Sequence, residues 1–467
     1  MNGMRRVREY FEAAGYTVDG VAGLLGPVAH AALAREQIVP AERATRGGSP
    51  LETLVRVFLL GLTVPAKAAH PLLIETGLIE RDGDEARALL DVRPYATDTD
   101  EWYVVSDLRR LPLPDDHVLG IGGASTTLAS STVRPLVGAA LDIGTGCGVQ
   151  ALHLSTHASD VTGTDTNPRA LKLAAMTAQL NGVELELLEG DLFNPVQGRR
   201  FDLVVSNPPF VIAPESRFTY RDSGRPGDEI CRVLLAKASK HLTEDGWCQI
   251  LANWEHHVGQ DWRERVAGWV AGTECDAWAL QREVQDPAEY AEMWLADAGE
   301  DNPNLYEDWL NDFAERGVEG IGFGIVTLRR TDAQPVLRLE EARQAVEHPL
   351  GPHIADWFAR QDFLRMHDDV QILQTTFRVA HDAVLQQTVR LSDGEALTAL
   401  RLSGGFRWDA PIDDVGAAVV AACDGGATLQ TLLEQAATQT GVGLDLLRDG
   451  AVAAVRGLVE RGFLHPA

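Results

Sequence analysis

The chain has 467 residues, 45% of them apolar, and a formal net charge of −27, with a pI near 4.8. That length suits about three domains, and the apolar share is that of a globular protein rather than a disordered one. Proteins that grip nucleic acid along its backbone carry a basic stripe, because phosphate neutralisation supplies most of the non-specific affinity. The acidity of this chain therefore argues against a polyanionic partner.

The N-terminus MNGMRRVREYFEAAG has arginines but no apolar core, so no signal peptide is expected. Residues 4–14 and 51–60 carry apolar side chains at three-and-four spacing and predict helices. RALLDVRPYA and EWYVVSD, separated by TDTD, predict a hairpin. Helices followed by a hairpin suggest a winged-helix-like module over 1–110. The run LPLPDD, starting at Leu111, is a plausible linker.

From Ala139 the pattern changes to short apolar strands alternating with amphipathic helices, as in a parallel sheet covered on both faces. Strands are expected at 139–143, 160–164, 184–188, 202–206, 247–252, 275–280 and 320–329. Helices fall between them, for example at 168–180 and 228–241. Asn167 before Pro168 is a good helix start, an acceptor followed by a residue with no N–H to satisfy. Residues 283–316 hold eleven acidic side chains and one basic. They suggest either a solvated excursion or a lid or partner surface near the sheet's end. The remaining stretch, 331–467, closes with a helix–turn–helix and a short strand, again winged-helix-like. The longest apolar runs, such as VGAAVVAAC at 415–423, are far too short to span a bilayer. Five scattered cysteines with no CxxC pair fit reduced thiols. The expectation is a soluble, cytoplasmic protein without a membrane partner.

Four elements in this alternating region carry chemistry. LDIGTGCG (141–148) is a glycine loop after an apolar strand, Asp165 ends the second strand, and Asp191 follows the third in EGDLF. Asn207-Pro208-Pro209-Phe210 ends the apolar run FDLVVS. Singly, each Asp reads as a surface turn or helix cap, and the diproline as a rigid turn. In this order and spacing they resemble the class I S-adenosylmethionine (SAM) dependent methyltransferases. The likeness is to the N-P-P-[FY] branch that methylates planar nitrogens, above all the protein-glutamine N5-methyltransferase (HemK/PrmC-like) group, and it covers residues 139 to about 330. It implies an α/β fold, a Rossmann-like seven-stranded sheet with its last strand antiparallel. The domains would be 1–110, 111–330 and 331–467, the outer two mainly helical.

The resemblance implies SAM as cofactor. Gly144, Thr145, Gly146 and Gly148 would let backbone pass close to it, since glycine tolerates positive φ. Val149 stands where a nicotinamide fingerprint wants its third glycine, which favours SAM over NAD. By resemblance Asp142 helps hold the methionine end, Asp191 accepts from the adenine amino group, and Leu192 offers a backbone N–H and an apolar contact. Asp165 can accept both ribose hydroxyls, as an acid at this place does for a dinucleotide. Upstream, HVLGIGGASTTL (117–128) replaces the family's R-P-[DE]-T-E type element. There Ser125 is a plausible helix cap, and the segment is expected to cover the methionine end, through Thr126 or Thr127.

Asn207, Pro208, Pro209 and Phe210 are the candidate catalytic residues, with Asn207 also near the cofactor. Methyl transfer is an in-line displacement, so the enzyme mainly positions the nucleophile. An amide nitrogen is a poor nucleophile because its lone pair is delocalised. Acceptors aimed at its two N–H bonds, the Asn207 side-chain oxygen and the Pro208 carbonyl, would draw it toward tetrahedral geometry. The prolines stiffen the loop and remove competing donors, and Phe210 could stack on a flat group. A protein or peptide amide is the favoured acceptor. The alternative is adenine N6 or guanine N2 of RNA or DNA, served by Arg217, Arg221 and Arg225. A small-molecule amine and an inactive SAM-binding interaction protein are further readings.

Other signals are read as structural. No metal is expected: His153 and His157 lie four apart with no further ligand, and His256-His257 is unsupported as a zinc site. Seven of the ten tryptophans fall between Trp247 and Trp309, and packing helices onto the sheet is their simplest use. Nothing near Cys147 in sequence activates it as a nucleophile.

Overall fold

A computed structural model of the chain describes residues 2–35, 37–109, 113–214, 222, 224–394 and 396–467. The expected linker start Leu111, and Arg217 and Arg221 of the arginine cluster, lie outside the described residues. The chain divides into two compact units, one comprising Met1–Ala129 with Pro135–Glu340, the other Ser130–Arg134 with Glu341–Ala467.

The centre of the first unit is a sheet of eight strands: β1 (Val137–Ile143), β2 (Ala158–Asp165), β3 (Glu186–Glu189), β4 (Phe201–Ser206), β5 (Leu242–His257), β6 (Cys275–Gln285), β7 (Val318–Arg330) and β8 (Leu337–Glu341). Their order is β8-β6-β7-β5-β4-β1-β2-β3. Strands β1 to β5 run parallel, while β7 runs antiparallel to both β5 and β6. The switch of direction in strand order falls between β1 and β4. Open α/β sheets bind ligands beyond the carboxyl ends of their strands at such a point. The central strands are apolar nearly throughout because both faces are covered. Leu141, Leu203 and Val204 are fully buried, and Ile143 nearly so.

The count corrects the expected seven strands to eight. LRLEE, assigned to the C-terminal region, instead lies at the sheet edge beside β6. The Ala277 N–H donates to Val336 O at 2.8 Å, the Val336 N–H donates to Asp276 at 2.8 Å, and the Trp278 indole donates to Glu340 at 3.0 Å. Charged residues suit an edge strand, but they hide it from a reading based on apolar runs.

Helices α1 (Asn2–Ala14), α2 (Gly123–Ser131), α3 (Val149–Ser155), α4 (Pro168–Asn181), α5 (Glu229–Ala238), α6 (Trp262–Val270), α7 (Pro287–Ala298) and α8 (Pro303–Arg316) position the site. Asn167 caps α4 as expected, accepting from the Arg169 N–H at 2.9 Å, and Gly182 ends it in the left-handed conformation. The expected hairpin pairs Asp91–Ala96 with Glu101–Ser106. It packs, with α1, against α4: the Thr177 hydroxyl accepts from the Val105 N–H, and the Asn181 amide exchanges hydrogen bonds with the Tyr103 backbone. Phe11, Tyr16, Phe58 and Tyr103 share one core with Leu152, Leu173 and Leu180.

The acidic segment is two capped helices. Asp286 accepts from the N–H groups of Ala288 and Glu289 at the start of α7, and Asn302 from that of Asn304 at the start of α8. Their acids face outward, while Tyr290, Trp309 and Phe313 are buried against Val211, Ile212 and Ile321. The tryptophans Trp254, Trp262, Trp269 and Trp278 are likewise buried. The second unit has its own apolar core, built from Phe377, Val420, Leu433, Val459 and Phe463 among others. Among the described residues no helix is long and apolar enough to cross a membrane.

Candidate functional site

A cavity of about 350 Å³ opens at the carboxyl ends of β1, β2, β3 and β4. Its floor is the glycine loop. Gly144, Gly146 and Gly148 have φ of 71°, 55° and 86°, conformations that a side chain would strain. The loop is tied to β2: the N–H groups of Gly144 and Thr145 both donate to Thr164 O, at 2.8 and 2.9 Å. Gly148 also passes close to Ala174 of α4, 3.4 Å from where its Cβ would stand.

Asp165 lines the cavity. The Gly146 N–H donates to its Oδ2 and the Asn167 N–H to its Oδ1, each at 2.9 Å. Burial raises its carboxyl above the ordinary range, although backbone N–H groups oppose the shift. Asp191 and Leu192 line the next wall with Gly190. Leu192 is one of the few non-glycine residues at positive φ, 51°, and Asp191 accepts from Arg225 at 2.9 Å.

Asn207, Pro208 and Pro209 form the opposite wall. The loop leaves β4 from a fixed point, since the Ser206 hydroxyl donates to Ile143 O at 2.8 Å. Further along, the Ile212 N–H donates to the buried Tyr290 hydroxyl at 2.9 Å, and the Asn253 amide donates to the same oxygen at 3.0 Å.

Not every candidate lines the cavity. Asp142 is fully buried behind the glycine loop and accepts from the Thr145 hydroxyl at 2.6 Å. Burial, opposed by that hydroxyl and aided by the charge of Asp165, pushes its carboxyl up to about 7. Gly148 shapes the loop from beneath. Phe210 is half-buried against the core under β4 and β5, and its backbone bridges to Asp222. Thr126 is exposed and gives its hydroxyl to Gly123 O at 3.0 Å, within its own helix. Its neighbour Ser125 lines the cavity instead, inside α2 rather than capping it, and its carbonyl accepts from Gln150 at 2.8 Å.

His117, Val118, Leu119 and Gly120 of the upstream segment line the cavity, and several lining residues escape a sequence reading, among them Gln150, Asn167 and Asp222. His117 is buried, and burial lowers its basicity. Asn167 stood out only as a helix cap, yet its amide also donates to Asp116 O at 2.9 Å, fastening the upstream segment over α4. That segment is held again by Asp107, which pairs with Arg169 and accepts from the Val118 N–H. No Lys or Arg is among the described residues lining the cavity.

His153 is buried, with its ring 2.9 Å from the Tyr95 hydroxyl, and His256 bonds Gln281. No cluster of metal-ligating side chains occurs among the described residues. All five cysteines are buried free thiols. Burial pushes the Cys147 thiol up to about 12, away from the thiolate that a nucleophile needs.

Residues 120–266 match the methyltransferase small domain family. Residues 13–89 and 355–466 match two domains of unknown function, DUF7059 and DUF7782. The chain is 34% identical over 161 residues to a release factor glutamine methyltransferase of Geobacter sulfurreducens, covering 32% of this chain and 55% of that protein. It is 35% identical over 135 residues to a ribosomal protein uL3 glutamine methyltransferase of Xanthomonas campestris, covering 26% and 44%. To a ribosomal RNA small subunit methyltransferase C of Cronobacter sakazakii it is 32% identical over 154 residues, covering 32% and 42%. The chain thus spans about half the length of the curated relatives it matches. The methyltransferase small domain match over residues 120–266, together with these relatives and the mostly parallel sheet, supports a HemK/PrmC-like class I methyltransferase domain.

Proposed function

We propose that this chain is a SAM-dependent N-methyltransferase whose acceptor is a planar amide nitrogen of a protein, of the glutamine N5 kind. One observation carries the reading: the Asn207-Pro208-Pro209 turn lines the same cavity as the glycine loop, Asp165 and Asp191.

The residues present fit the cofactor. Two left-handed glycines, Gly144 and Gly146, bring bare backbone to the cavity floor, and the volume lies within the range of about 300–1,000 Å³ usual for such sites. Each Asp165 oxygen accepts one backbone N–H and retains acceptor capacity for a ribose hydroxyl. Asp191 keeps Oδ1 for the adenine amino group, since Arg225 uses Oδ2. Asp142 acts through the loop, by holding Thr145. SAM, when bound, supplies an electrophilic methyl group on a sulfonium.

The protein's part is orientation. The Asn207 side-chain oxygen and the Pro208 carbonyl accept the two N–H bonds of the target nitrogen and turn its lone pair toward the cofactor side of the cavity. Neither proline offers a competing N–H. Asp222 adds a further acceptor to this end of the cavity. A wall rich in acceptors, with no Lys or Arg among the described lining residues, suits a neutral amide better than a phosphate-bearing group. The methylated nitrogen sheds its proton readily, so no strong base is required.

A nucleobase acceptor is the second reading, favoured by the likeness to the ribosomal RNA methyltransferase. Full-length protein incubated with methyl-tritiated SAM and host lysate, then split between protease and nuclease, separates the two. Label lost only to protease supports a protein amide; label lost to nuclease overturns it in favour of a nucleobase.

A further inference from the structure

We propose that the acidic helices α7 and α8 position the acceptor loop from both of its ends, with the Tyr290 hydroxyl as the positioning group on the outgoing limb. The proposal rests on the reading that Asn207 and Pro208 hold the acceptor nitrogen.

The chain leaves β4 at Asn207, and residues 224–228 lead into α5. On its outgoing limb, Val211 and Ile212 are buried on the apolar face of α7 and α8. Van der Waals packing there is permissive, but the hydrogen bonds are not. The Tyr290 hydroxyl receives the Ile212 N–H at 2.9 Å and the Asn253 amide at 3.0 Å, so one oxygen on α7 ties the loop backbone to β5. Ile212 stands two residues beyond Phe210, close enough in the chain for its anchorage to govern the turn before it.

The returning limb is fixed through charge. Asp228 accepts from the Glu255 N–H at 3.0 Å and from Nε and Nη2 of Arg265, at 2.5 and 2.7 Å. Glu255, 3% exposed, pairs in turn with Arg265 and with Arg316 at the end of α8. Gly227 passes so close that a Cβ would lie 2.8 Å from the Glu255 carboxylate, and its φ is 54°. Thus α7 holds one limb and α8 the other.

This arrangement gives the insertion a task that a solvated excursion lacks. Transfer depends on alignment, and a displacement of about 1 Å can cost about 10²-fold in rate. The cofactor wall, built on β1, β2 and β3, meets the returning limb through the part-exposed pair of Arg225 with Asp191.

The test uses the full chain with Tyr290→Phe, which deletes one oxygen and keeps the ring, and Arg316→Gln as an independent variant on the other limb. Three quantities are measured: SAM affinity by titration, amide hydrogen exchange across 208–214 and 224–230, and methyl incorporation from tritiated SAM into host lysate. Exchange over 208–214 is expected to rise at least tenfold in Tyr290→Phe, and over 224–230 in Arg316→Gln. Incorporation should fall at least tenfold in each, with SAM affinity within twofold of wild type. Unchanged exchange, or faster exchange with undiminished incorporation, overturns the proposal. So does a loss of SAM affinity that matches the loss of incorporation, since that reports general loosening. Should the wild-type protein label nothing, the functional reading fails, and with it the claim of positioning, while the exchange data still decide whether the helices hold the loop.

Discussion

The backbone N–H of Gly146 donates to Oδ2 of Asp165 at 2.9 Å, so the carboxylate at the end of β2 holds the glycine loop in place while facing the cavity. Asp165→Ala therefore removes two things at once, a loop anchor and the acceptor assigned to the ribose hydroxyls. Hydrogen bonds to charged groups are worth about 1.5–3 kcal/mol, so SAM affinity should fall at least about tenfold. Asp165→Asn keeps an oxygen for one N–H and should fall between the two. Calorimetric titration with SAM checks both, and an Asp165→Ala variant that binds as wild type does would refute the ribose assignment.

Asn207 tests the other wall. Asn207→Ala should lower the methyl-transfer rate by about 10²-fold, the scale seen when one orienting hydrogen-bond group is deleted from an active site, while SAM affinity stays within a few-fold. A large loss of SAM binding would instead make Asn207 a cofactor residue and leave its role toward the acceptor without support.

Much of this site was legible because its chemistry is packed into contiguous stretches. Three glycines in five residues and a diproline after a strand announce backbone conformations that few other sequences need, and strand ends are easily located by their apolar runs. What escaped was set by direction and by distance. Thr126 and Ser125 are adjacent, but successive helical residues point about 100° apart, and only Ser125 faces the cavity. Asp142 carries the expected residue type at the expected place, yet its side chain turns behind the loop toward Thr145. Asp222, Asn253 and Tyr290 come from segments far from the motifs, and no local pattern marks them. The acidic helices misled for a related reason: composition records the outward acids, whereas Tyr290, Trp309 and Phe313 decide where the helices pack.

Arg225 and Asp191 make a second contrast. Their side chains are 34% and 46% exposed, and an ion pair in such a setting contributes about 0–1 kcal/mol. Arg225→Gln should accordingly change SAM affinity by less than about fivefold, whereas Asp191→Ala should weaken it by about tenfold through loss of the adenine contact. Equal effects of the two substitutions in the same titration would mean that the pair, and not the carboxylate, makes the site. If Arg225 served a nucleic-acid substrate, its replacement would instead cut incorporation into the nuclease-sensitive fraction.

The buried Asp142 should leave a signature in the pH dependence of stability. Its carboxyl is pushed up to about 7 by burial, with Asp165 adding to the shift and Thr145 opposing it; in an unfolded chain it would lie near 3.9. Between those values the folded state holds a proton that the unfolded state has lost. Stability from this group is therefore complete below about pH 4, declines as the pH rises toward 7, and levels off above that. Asp142→Asn keeps a side-chain oxygen to accept from Thr145 but cannot ionise, so the contribution from this position should be flat across the same window. Melting temperatures measured at intervals from pH 5 to 8.5 should fall more steeply for wild type than for the variant, leaving the variant the more stable by a few degrees at pH 8. Parallel curves would mean that Asp142 ionises as easily in the folded protein as in the unfolded chain, and that its place behind the glycine loop is wetter than its burial implies.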